Sequence, residues 1–115
     1  MTTQQAITFT GVEITAKANV YFDGKVVSHA ITLPDGSRKT LGLIFPGSFH
    51  FATSAPERMQ IIAGACRARV DGTNEWKLYE AGSEFSVPAS AGFDIAVESG
   101  VAEYICSFEP DAPKG

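Results

Sequence analysis

The side chains from which reactive centres are built are few in this chain. It has two histidines, His29 and His50, and two cysteines, Cys66 and Cys106. A first-row metal site takes three or more protein ligands. His50, in the stretch Ser48-Phe49-His50-Phe51-Ala52-Thr53, has only Glu57 downstream as a second donor, so no metal site is expected. Both histidines read as partly exposed strand residues. The cysteines sit in apolar, strand-like surroundings, where a thiol keeps its proton and is inert as a nucleophile. No Ser-His-Asp or Cys-His grouping is readable, and no strand leads into a glycine-rich phosphate loop of the GxxxxGK type.

The bulk properties narrow the field further. The 115 residues form one small domain with no room for a second core. Hydrophobic residues at 44% and charged ones at 19% describe an ordinary globular chain. Nine Lys plus Arg against thirteen Asp plus Glu leave a net charge of -4, which argues against nucleic acid as a partner. No apolar run reaches the length of a membrane span. The opening MTTQQAITFT has neither a basic n-region nor a long apolar core, so no secretory signal is expected. Two isolated thiols make no disulfide framework, and a reducing, cytoplasmic setting is the expectation.

Eleven Gly and six Pro cut the chain into short pieces, leaving little room for a helical period. Alternation of apolar and polar residues marks strands at Ile7–Thr10, Val12–Ile14, Lys25–Leu33, Leu41–Phe45, Ser48–Thr53 and Met59–Ile62. It continues through Cys66–Val70, Trp76–Tyr79, Glu84–Pro88, Phe93–Val97 and Ala102–Phe108. Turn residues separate them, as in Phe22-Asp23-Gly24, Pro34-Asp35-Gly36 and Asp71-Gly72. About ten short strands at regular spacing in one domain predict an all-β antiparallel barrel or two-sheet jelly roll. The tail 109–115 has no apolar period and reads as flexible.

Two spacings refine the fold. Glu57 precedes Gly64 by six intervening residues, and Gly82 precedes Pro88 by five. These resemble the back half of the first cupin motif and the front half of the second, and imply a single-domain cupin-like jelly-roll β-barrel. The metal chemistry of that fold does not carry over. The His pair is reduced to His50, with Ala52 or Thr53 at the partner position, and the late His position falls near Phe93.

A closer resemblance covers residues 20–108. The strings Val20-Tyr-Phe-Asp-Gly-Lys-Val26, Gly47-Ser-Phe-His-Phe-Ala-Thr53, Glu57-Arg-Met59, Trp76-Lys-Leu-Tyr79, Gly82-Ser-Glu-Phe-Ser-Val-Pro-Ala89 and Tyr104-Ile-Cys106 resemble the pyrimidine/purine nucleoside phosphorylase family of small cupins. Residues 1–19 lie mostly outside it, as an N-terminal extension able to add one strand. The resemblance implies phosphorolysis of purine and pyrimidine nucleosides to free base and α-D-ribose 1-phosphate. It implies inorganic phosphate as co-substrate, no metal or other cofactor, and a homodimer.

That reaction needs donors for phosphate, acceptors for the ribose hydroxyls and a flat apolar slot for the base. Under the resemblance, Lys25 and Arg38 are the phosphate candidates; the alternative reading makes both solvated turn cations. Arg67 and Arg69, two residues apart on one strand face, fit a solvated outer face better. Glu57 is the catalytic candidate, accepting from the 2′- and 3′-hydroxyls and favouring a cationic ribosyl centre; otherwise it is a surface glutamate after Ser54-Ala55-Pro56. Thr53 donates to phosphate or ribose, or is an ordinary strand residue. Tyr21, Phe51, Met59 and Phe93 offer stacking faces that any base accepts, although eight Phe in so small a barrel also have a core to fill. Trp76 and Tyr79 read as packing or dimer-interface residues. The other class of function open to such a barrel is non-catalytic binding of a small molecule.

Overall fold

The structure, a computed structural model, describes residues 6–109. Alternating segments between turn residues become eleven strands among the described residues, joined by a single 3-10 turn and no α-helix. In chain order these are β1 (Glu13–Ile14), β2 (Asn19–Tyr21), the 3-10 turn Phe22–Gly24, β3 (Val26–Thr32) and β4 (Arg38–Ile44). There follow β5 (Gly47–Ala52), β6 (Glu57–Ala63), β7 (Ala65–Val70) and β8 (Lys77–Glu80). The last are β9 (Glu84–Val87), β10 (Gly92–Val97) and β11 (Ala102–Phe108).

The strands make two antiparallel sheets. One runs β1-β3-β4-β11-β6-β9, with β2 also on β3, and the other runs β5-β10-β7-β8. From β4 onward the chain changes sheet at every connection except the β7–β8 hairpin, which is the winding of a jelly roll. The all-β expectation holds. The sheets stay open rather than closing into a continuous barrel, because among the described residues the outer edge of β5 has no strand partner.

Period-2 alternation decides what lies between the sheets. Val26, Ile44, Met59, Ile61, Val87 and Tyr104 from the larger sheet meet Phe49, Ala68, Phe93, Ile95 and Val97 from the smaller one. The motif glycine Gly64 is the whole connection between β6 and β7 and sits at φ +72°. A Cβ there would run into the Val101 carbonyl, so both the turn and the close approach require glycine.

Two expected strands shift. Ile7–Thr10 pairs with no strand among the described residues, and Glu13–Ile14 is the segment that joins the sheet, with Ile14 opposite Ile31. Trp76 stands just before β8, under the Arg69 guanidinium 4.8 Å from its ring centre. Of the tail expected at 109–115 only Glu109 is described, its amide donating to the Pro56 carbonyl at 2.9 Å. Residues 110–115 lie outside the described residues.

Candidate functional site

Between the sheets, at the end where β5 faces the β2–β3 corner, lies a cavity of about 400 Å³. Five of the residues singled out in the sequence line it together: Tyr21, Phe51, Glu57, Met59 and Phe93. They come from four strands and two sheets, brought to one place by the jelly-roll winding.

The rings form a chain leading inward. Tyr21 meets Phe51 edge-on with centroids 5.8 Å apart, and Phe51 stacks on Phe93 at 5.7 Å and 26°. Phe93 continues to Phe85 at 5.6 Å and Phe85 to Tyr79 at 4.7 Å. Tyr79 is thus a packing residue. Phe93, 2% exposed, is at once core and cavity wall. Phe22 completes the mouth, 4.9 Å from Phe49 and 5.4 Å from Phe51. It is held at φ +53°, and Asp23 beside it at +55°. A bulky side chain in the left-handed region costs on the order of 1–3 kcal/mol and persists only where surrounding contacts impose it. Here the contacts are the two phenylalanine rings.

Polar groups line the opposite wall. Glu57, the first residue of β6, pairs with Phe108 on β11 and Val87 on β9, and its parity with Met59 and Ile61 turns it inward. The Cys106 thiol donates to Glu57 Oε1 at 3.4 Å. Burial pushes the Glu57 carboxyl above its ordinary range, and the thiol bond pulls part of the way back. Burial also pushes the Cys106 thiol far up, with the neighbouring carboxylate adding to it, so the thiol stays a donor at neutral pH. Cys66, buried elsewhere in the core, is raised to about 11. Tyr104 lies flat across Gly42, where any Cβ would overlap its ring. Its hydroxyl reaches Ser28, which accepts a further bond from Asn19 Nδ2 at 3.3 Å.

Why Glu57 stands where it does follows from the loop before it. The Thr53 amide donates to the Ala91 carbonyl at 3.0 Å, and the Thr53 hydroxyl donates to the Pro88 carbonyl at 2.6 Å. The same hydroxyl accepts from the Ala91 amide at 3.0 Å, and the Ser90 amide donates to the Ser54 carbonyl at 3.2 Å. The β5–β6 and β9–β10 connections are thereby tied together immediately before Glu57. Thr53 is not among the residues lining the cavity.

Neither are Lys25 and Arg38. Lys25 is exposed, one residue before the buried Val26, so its parity places it with Val27 and His29 on the outer face. Arg38 is exposed at the start of β4, two residues before Thr40, and shares the inward face of that cavity-lining residue. Arg67 and Arg69 lie on the outer face of the smaller sheet. Arg69 Nη2 is 2.8 Å from Asp94 Oδ2 and Arg67 Nε 3.6 Å from Glu98 Oε1.

His50 is among the lining residues, and alternation with the inward Phe49 and Phe51 turns its ring to the outer face. The ring Nε2 is 3.1 Å from both carboxylate oxygens of Asp71. Among the described residues no three His, Cys, Asp or Glu side chains gather in a metal-holding group. The donors nearest the cavity, Glu57, Cys106 and His50, do not fit one, because the imidazole points away. Sequence reasoning missed Phe22, Ser28, Thr40, Tyr104 and Cys106 as lining residues. Strand parity carried the signal for Ser28 and Thr40, which alternate with outward residues on β3 and β4. Nothing in the local sequence signals the strained Phe22.

Comparison with known proteins agrees with this picture. The family model described as pyrimidine/purine nucleoside phosphorylase matches residues 16–108. A protein of that name from Cupriavidus taiwanensis is 52% identical over 101 residues, 88% of this chain and 95% of its own. A solved structure of a protein of unknown function from Acinetobacter sp. ADP1 superposes with a TM-score of 0.86 at 40% identity, covering 89% of this chain and 98% of that one. Oxalate decarboxylase of Bacillus subtilis superposes at TM-score 0.70 and 13% identity over 96% of this chain and 32% of its own, a likeness of cupin fold alone. Matched across most of its length by both model and relative, the chain belongs to the pyrimidine/purine nucleoside phosphorylase family.

Proposed function

We propose that the protein carries out metal-independent phosphorolysis of purine and pyrimidine nucleosides, releasing free base and α-D-ribose 1-phosphate. The observation that carries this reading is the inward Glu57 carboxylate facing a chain of aromatic rings across one 400 Å³ cavity. As the C1′–N bond breaks, its electron pair leaves with the base and the sugar acquires oxocarbenium character. A phosphate oxygen then forms the new bond to C1′. Glu57 accepts from the 2′- and 3′-hydroxyls and stabilises the developing positive charge, an effect that desolvation strengthens. Tyr21, Phe51, Met59 and Phe93 receive the base by stacking and dispersion, which every base satisfies.

Arg38, on the inward face of β4 two residues from the cavity-lining Thr40, is the phosphate donor this reading favours, with Lys25, at the opposite end of the β3–β4 pair, as the other candidate cation. Thr53 positions Glu57 through the loop it ties. We further infer a homodimer acting in the cytoplasm. The unpaired edge of β8 supports the first, and the two buried free thiols suit a reducing compartment.

The test is release of free base from uridine, adenosine and thymidine with phosphate, without phosphate, and with phosphate plus a strong chelator. Phosphate-dependent release that survives the chelator is the expected result. One observation favours a second reading, a non-catalytic binding barrel: among the described residues no Lys or Arg lines the cavity. Nucleoside binding with no release under any condition would establish that reading and overturn the first.

A further inference from the structure

The lining of the cavity contains two residues, His50 and Ala52, that alternation with the inward Phe49 and Phe51 turns to the outer face. The hydrogen-bond ladder explains their presence. The Thr53 amide donates to the Ala91 carbonyl, and the Asp71 amide donates to the Gly92 carbonyl. In antiparallel pairs the residues alternate between those that exchange both main-chain bonds and those whose N–H and C=O point away from the partner. With Phe51 opposite Phe93 and Ala52 opposite Gly92, Phe49, Phe51 and Thr53 spend their main-chain groups on the β10 side. The N–H and C=O of His50 and Ala52 therefore point to the free edge of β5. Among the described residues no hydrogen bond within the chain uses them.

This edge is held firmly. On the outer face the His50 ring is bound to Asp71 and lies close over Gly92, where a Cβ would come within 3.0 Å of the imidazole and 2.7 Å of the Asp71 carboxylate. On the inner face Phe51 is locked between Tyr21, Phe22 and Phe93. The mouth thus presents, beside an aromatic slot, a rigid main-chain acceptor at His50 and a main-chain donor at Ala52, the two flanking Phe51.

Building on the reading of the cavity as a nucleoside site, we infer that the free edge of β5 pairs with the base itself. The His50 carbonyl accepts a hydrogen bond from the base, and the Ala52 amide donates one to it. All four common bases carry an adjacent donor and acceptor on the edge remote from the sugar. These are N3–H with O4 in uracil, N4–H with N3 in cytosine, N6–H with N1 in adenine, and N1–H with O6 in guanine. A peptide edge satisfies each of them without a base-specific side chain. Adenine and cytosine carry an exocyclic donor beside a ring acceptor, and uracil and guanine the reverse, so one pair of main-chain groups receives both sets with the base turned over between them. Among the described residues no Asn or Gln lines the cavity to do this instead.

Ala52→Pro tests the pairing, because it removes the free N–H and no ladder bond; proline is tolerated on an edge strand at such a position. Ala52→Ser, which keeps the N–H, is the control. Calorimetric titration with uridine and with adenosine should show Kd raised about tenfold in Ala52→Pro and unchanged in Ala52→Ser, as loss of one well-placed hydrogen bond predicts. The KM for nucleoside should rise in parallel while that for phosphate stays put. In the wild-type protein N3-methyluridine, which lacks the imide donor, should bind at least tenfold more weakly than uridine; this comparison stands even if Ala52→Pro fails to fold. Equal binding of uridine by wild type and Ala52→Pro, or of uridine and N3-methyluridine by wild type, overturns the pairing whether or not base is released. Weakened binding in a protein that never releases base would uphold the pairing and overturn phosphorolysis.

Discussion

At the scale of single residues, the site turns on one carboxylate and the thiol beside it. Glu57→Gln keeps the volume and removes the charge, so kcat/KM for phosphorolysis should fall about 100-fold, the size of effect seen when one electrostatic contact to a transition state is lost. An unchanged melting temperature would show the fold intact, and unchanged turnover would remove Glu57 from the reaction. The pH dependence follows from its surroundings. Burial holds the Glu57 proton above the ordinary carboxylate range. Activity that needs the ionised form therefore rises with pH along a limb lying above that range. Cys106 lowers the same pKa by donating to Oε1. Cys106→Ala removes the donor, and the acid limb of kcat/KM should move to still higher pH; a limb that stays or moves down would contradict the contact. Glu57 was legible because its spacing to Gly64 is a local pattern. Cys106 was legible only as an unreactive thiol, since its partner lies 49 residues away. The main-chain groups of His50 and Ala52 have no sequence signature at all.

At the scale of elements, the strands were readable because each buries one face, and alternation records which. Ile7–Thr10 alternates equally well yet pairs with no strand, because it lies against a sheet face rather than an edge. Which edges remain free depends on pairings across the whole chain, so the open rim at β5 could not be read from any one segment. Loops carry their own cross-links. The Thr53 hydroxyl both donates to the Pro88 carbonyl and accepts from the Ala91 amide, and it is almost fully buried. Thr53→Val is nearly isosteric and leaves both groups without that partner, which should cost about 1–3 kcal/mol of unfolding free energy. Urea denaturation would measure this. Because the tied loop leads straight into Glu57, kcat should drop while the KM for phosphate holds. A raised phosphate KM would instead make Thr53 a phosphate contact.

At the scale of the whole molecule, the N-terminal segment and the cavity occupy opposite faces of the larger sheet. Tyr104 and Cys106 point into the cavity, so Ile105 between them points out, yet it is 2% exposed. Ile31, outward on β3 beside the inward Ala30, is also 2% exposed. What covers this outer face is the segment before β2. Ile14 pairs with Ile31, the Thr15 amide donates to the Ala30 carbonyl at 2.9 Å, and the Thr15 carbonyl meets His29 Nδ1 at 3.3 Å. Ile7 and Phe9 share a groove with Leu41, Leu43, Ile62 and Ile105. In the sequence this segment was readable as two alternating stretches, Ile7–Thr10 and Val12–Ile14, in an extension outside the family resemblance; its role as a cover depends on outward isoleucines that alternation alone would assign to solvent. Removing residues 1–15, just short of the family match at 16–108, would return at least one isoleucine to water at a cost of about 2 kcal/mol. For a domain of this size that is a fall of about 10 °C in melting temperature. The nucleoside KM of the truncated protein should match that of the full chain, since among the described residues none before Tyr21 lines the cavity. A melting temperature left unchanged would mean the segment only rests on the sheet, and a changed KM would mean that the two faces communicate through β11.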